Sequence, residues 1–90
     1  MNRRAALLLL TALALPARSG GWKEEFEEVC SKTQDAMSLG AAELRSLIDR
    51  CDKLKPAIDG LEESARKVYT RRLSACRELY VFVLETQEQK

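Results

Sequence analysis

Histidine is absent from all 90 residues, and with it goes the commonest general base and metal ligand at neutral pH. Aromatic side chains are scarce, at one Trp, two Tyr and two Phe, which leaves little material for a cofactor pocket. Glycine and proline number only 4 and 2, too few for a flexible linker between two domains. No segment alternates apolar and polar residues as a half-buried strand does, and no internal repeat or low-complexity tract occurs. The three cysteines, at 30, 51 and 76, form no CxxC pair, so thioredoxin-like chemistry and paired-CxxC zinc sites lack support. A glycine-rich phosphate loop is missing as well. The sequence therefore calls for no cofactor, no metal and no catalytic residues.

What remains is 46% hydrophobic and 32% charged, the composition of one small helical domain. One long uncharged run stands apart from it. Arg3 and Arg4 precede Ala5 to Leu15, and Pro16 and a small-residue stretch follow, the layout of a secretory signal peptide over 1–19. Those eleven uncharged positions span about 16 Å as a helix, short of a hydrocarbon core about 30 Å thick. Ala17 and Ser19 suit a cut before Gly20, with Ala12 and Ala14 offering a second site before Leu15. Export by the general secretory route, to the periplasm or outside the cell, is the expectation. Removing 1–19 takes away Arg3, Arg4 and Arg18 and leaves 12 basic against 14 acidic residues, a net −2. Such a chain is not suited to nucleic acid, and nothing in the mature part suggests a transmembrane segment.

Residues 20–90 read as one domain of three helices. Trp22, Phe26, Val29, Cys30, Thr33 and Met37 make one stripe, with Glu24, Glu25, Glu27 and Glu28 opposite, so helix one is expected over 22–37. Gly40 with Glu43 begins a second helix, whose stripe Leu44, Leu47, Ile48, Cys51 and Leu54 runs to Lys55-Pro56. Proline crowds the preceding residue and lacks an amide proton, which ends this helix at about 54. The third, about 57–87, starts at Pro56 or behind an Asp59 cap. Short connections then imply an all-α, up-down-up antiparallel three-helix bundle.

Helix three spans about 46 Å on this reading, against about 24 and 21 Å for its neighbours. Its overhang would hold Leu79, Tyr80 and Val83 with no shelter inside the chain. These three are the expected interaction surface, for a homodimer or another protein partner, unless helix one swings over to cover them.

Cys30 lies ten residues before Gly40 and Cys51 eleven after it, which places them at similar height in a hairpin. A Cys30–Cys51 disulfide is the leading expectation, and Cys76 is left over. Three readings of Cys76 stay open: a buried thiol, an intermolecular bridge, or a reactive thiol in a small redox protein. The segment Arg66, Lys67, Arg71, Arg72 and Arg77 carries no acid, and Arg66, Lys67, Arg71 and Arg77 form a basic patch. Its ordinary meaning is a solvated helix face, and its functional one an anionic envelope surface or lipid. Arg72 falls within the apolar stripe and needs a carboxylate, with Asp35 and Glu43 as candidates. A non-enzymatic module for protein interaction or self-association is the function these features favour, with the envelope-surface and thiol-redox readings as alternatives.

Overall fold

The computed structural model describes residues 21–89; the expected signal segment and its cleavage sites lie outside the described residues. Within that span the chain is all-α. It forms α1 (Gly21–Ser31), a 3-10 segment (Lys32–Ser38), α2 (Ala41–Asp59) and α3 (Glu63–Glu88). Each differs from its expected bounds for a physical reason.

The first helix stops being an α-helix after Ser31 rather than at 37. Ser31 Oγ donates to the Glu28 carbonyl at 2.8 Å, and Thr33 Oγ1 to the Cys30 carbonyl at 2.9 Å. Hydroxyls that occupy carbonyls three residues back compete with the α ladder and tighten the coil. The change of period moves Met37 off the apolar stripe into solvent and buries Ala36 instead.

α2 begins as expected, with Gly40 extended and its carbonyl accepting from the Leu44 amide at 2.9 Å. It does not end before Pro56 but runs through it to Asp59. Pro56 opens the last turn on the exposed side, and Asp52, whose carbonyl loses its amide partner, is exposed to water. Continuing the helix buries Ile58, worth about 1.5–3 kcal/mol, which offsets a proline cost of about 3 kcal/mol. The Gly60 and Leu61 amides then donate to the Ala57 and Ile58 carbonyls at 3.3 and 3.0 Å and close the end.

α3 starts at Glu63, later than expected, behind a different cap. The Glu62 carboxylate accepts from the Ser64 and Ala65 amides at 3.2 and 2.9 Å. Asp59, the expected cap, pairs with Lys55 of its own helix at 3.3 Å.

Cross-contacts tie the helices together. Arg77 of α3 pairs with Asp52 of α2 through bonds of 2.7 and 3.3 Å, and Arg45 of α2 pairs with Glu88 of α3. Trp22 of α1 stacks edge-on against Tyr69 of α3 at 5.0 Å, and Cys30 of α1 meets Cys76 of α3. Arg50 reaches from α2 to Glu25 of α1 through two bonds of 2.7 and 2.9 Å. That bidentate pair holds the Glu25 carboxyl below its ordinary value. Its contribution to stability is present above about pH 4.5 and fades as pH falls through the lowered value.

Candidate functional site

The disulfide joins Cys30 to Cys76, with Cα atoms 5.6 Å apart, and not Cys30 to Cys51. The reason is register. Arg50 of α2 is level with Glu25 and Glu28, at 2.7 and 3.8 Å, so Cys51 faces the part of α1 before Cys30. Equal counts to Gly40 mislead because the stretch between Cys30 and Gly40 does not continue α1: residues 32–38 form a separate 3-10 segment, so residue counts do not measure height along α2. Cys76, expected as the odd thiol, is bonded, and Cys51 is the free and fully buried one.

Burial, reinforced by the adjacent Asp52 charge, pushes the Cys51 thiol up to about 11. Such a thiol is protonated at neutral pH and shielded from reagents. We expect a disulfide-exchange chromogen to find no reactive thiol in the native, unreduced protein and one per chain once it is unfolded. Rapid native labelling of one thiol would contradict the buried position of Cys51.

The expected interaction surface is mostly core. Tyr80 is 0% exposed and Val83 1%, leaving only Leu79, at 37%, on the surface. Tyr80 donates its phenolic hydrogen to the Val29 carbonyl of α1. The overhang vanishes because α2 ends five residues later and α3 begins six residues later than expected. Together these shifts slide the start of α2 along α3 by about 11 residues, or about 16 Å. The α2 start then reaches the far end of α3, where Gln87 donates to the Leu39 carbonyl at 2.7 Å.

The basic patch divides. Arg77 turns to Asp52 and is neutralised there. Arg66 donates to the Leu61 carbonyl at 3.2 Å, and Lys67 lies 3.7 Å from Glu63. Arg66, Lys67 and Arg71 line an open groove of about 750 Å³ whose walls also include Asp59 and Glu78, so its charge is mixed. Arg72 meets neither Asp35 nor Glu43. Its guanidinium lies 4.9 and 5.3 Å from the Phe26 and Tyr69 ring centres and 3.6 Å from Glu27. The acidic block of α1 thus reaches the basic segment within one chain, at Arg72.

What stays uncovered is a different face of α3. Val68 is 54% exposed and Phe82 62%, and Ala75 and Leu79 lie between them on the surface. Val68, Ala75 and Phe82 are spaced by sevens, so they stack along one side of the helix with a drift of only about 20° per step. That heptad spacing is readable in the sequence, where the pull of Tyr80 and Val83 obscures it. Beside the row runs a charged flank: Lys67 and Arg71 in the N-terminal half, Glu78 and Glu85 in the C-terminal half, all exposed. Arg71, Glu78 and Glu85 have no opposite charge within ion-pair reach among the described residues.

No helix among the described residues is long and apolar enough to cross a membrane, and no three ligating side chains among them converge as for a metal ion. Comparison with protein-family models, with curated proteins and with solved structures gives no match.

Proposed function

We propose that this chain is an exported, disulfide-closed helical module, an up-down-up antiparallel bundle released from a signal peptide over 1–19, that acts by binding another protein chain rather than by catalysis. The observation that carries the reading is the exposed row on α3. Val68 and Phe82 are large apolar side chains left in water on one helix face, while the other apolar face of α3 is buried through Leu73, Cys76, Tyr80 and Val83. A helix with apolar residues on two sides has one side to spare for a partner. The disulfide supports residence in an oxidising compartment, since such bonds form and persist there.

A photoreactive phenylalanine analogue in place of Phe82, in cells that express the full chain, tests the binding reading. Irradiation is expected to give at least one discrete protein adduct that is absent when the analogue replaces the solvated Glu24 on α1 instead. Equal, diffuse labelling from both positions would overturn the reading.

A further inference from the structure

The geometry points to a second copy of this chain as the occupant of the α3 face, paired antiparallel about a two-fold axis at Ala75. The inference rests on the binding reading above and names the partner.

Symmetry carries it. Val68 stands seven residues before Ala75 and Phe82 seven after, so a two-fold axis at Ala75 sets Val68 of one chain against Phe82 of the other, twice. Ala75 is small and exposed at the crossing, which lets the two helices approach closely there.

The charges obey the same axis. In an antiparallel pair related this way, a given flank of one helix meets the same flank of the other. Arg71 stands four residues before Ala75 and Glu78 three after; Lys67 stands eight before and Glu85 ten after. Arg71 therefore meets Glu78 of the second copy, and Lys67 meets its Glu85, each pair formed twice. A parallel pairing would instead set this flank against the opposite flank of the second copy, so its charges would not meet one another. One flank that is basic in its first half and acidic in its second is complementary to itself only when reversed, and an unrelated partner has no need of that arrangement.

The row from Val68 to Phe82 is about 21 Å long, a small interface by the standards of permanent dimers. The association is accordingly concentration-dependent, at the weak end of specific interfaces.

Sedimentation equilibrium of the purified exported chain, over about 1 μM to 1 mM, is the test. The wild-type mass is expected to rise toward twice the monomer's. Lys67→Glu with Arg71→Glu makes the flank all acidic, and Glu78→Lys with Glu85→Lys makes it all basic. Each doubly substituted chain alone is expected to associate about 10- to 100-fold more weakly, and an equimolar mixture of the two to recover wild-type affinity as a heterodimer. All four positions are exposed, so helicity by circular dichroism should not change. A wild-type chain monomeric to 1 mM, or two variants that self-associate as wild type does, would overturn the second-copy assignment. The binding reading would still stand if Phe82 crosslinked to a different chain, so the two failures are distinguishable.

Discussion

Replacing Cys30 and Cys76 together by alanine lowers the unfolding free energy by about 4 kcal/mol. The bridge closes a loop with a sequence separation of 46, and the chain-entropy cost it removes from the unfolded state grows with the logarithm of that length. Domains of this size hold only about 4–10 kcal/mol in all, so the variant keeps about 60% of its stability at most. At about 4–8 °C per kcal/mol, the melting temperature drops by about 15–30 °C. Reduction of the wild type by dithiothreitol should reproduce most of that shift, whereas Cys51→Ala, which removes one buried sulfur and no cross-link, should produce much less. A non-reducing digest provides the independent check on connectivity. The peptides carrying Cys30 and Cys76 should migrate as one species, and a species joining Cys30 to Cys51 would refute the register described here.

The connectivity also shows where sequence reasoning reached its limit. Helix type follows from composition and period alone, and the start of α2 from Gly40, because these depend on neighbours within a turn or two. The end of α2 does not. Proline argues locally against helix at 55–56, but Ile58 gains its burial from contacts with residues remote in sequence, and that gain decides the matter. One misplaced end then propagates. It shifts the pairing of α2 with α3, leaves Tyr80 and Val83 without cover on paper, and draws attention away from Val68 and Phe82. The expected Cys30–Cys51 pairing fails for a related reason, since matching heights across a turn assumes one continuous helix on each side of it, which the separate 3-10 segment breaks. Arg72 shows an intermediate case. Its place on a core-facing stripe and its need for a carboxylate are readable, but the choice of Glu27 over Asp35 or Glu43 requires knowing that α1 lies alongside the N-terminal half of α3.

Tyr80→Ala is expected to cost about 3–5 kcal/mol, the range for emptying a large aromatic site in a core. Tyr80 is the largest fully buried side chain among the described residues and the point where α3 is tied to the α1 backbone through the Val29 carbonyl. Tyr80→Phe keeps the ring and loses only that tie, so about 1–2 kcal/mol is expected, and the difference between the two variants separates packing from hydrogen bonding. Denaturant midpoints measured at pH 7 give both values. The same hydroxyl makes a prediction about alkali. Burial pushes Tyr80 up to about 12 and Cys51 up to about 11, each above its ordinary value of 10.0 or 9.0. A group whose folded value is raised contributes stability that is full below the unfolded value and is lost as pH climbs to the folded one. Wild-type stability should therefore be level up to about pH 9 and fall between pH 9 and 12. In Tyr80→Phe the Tyr80 share of that fall disappears, while the Cys51 share, beginning near pH 9, remains. Cys51→Ala should do the reverse and delay the onset to about pH 10. An alkaline limb unchanged in both variants would mean that neither group is buried as described, and the packing of α3 against α1 and α2 would have to be redrawn.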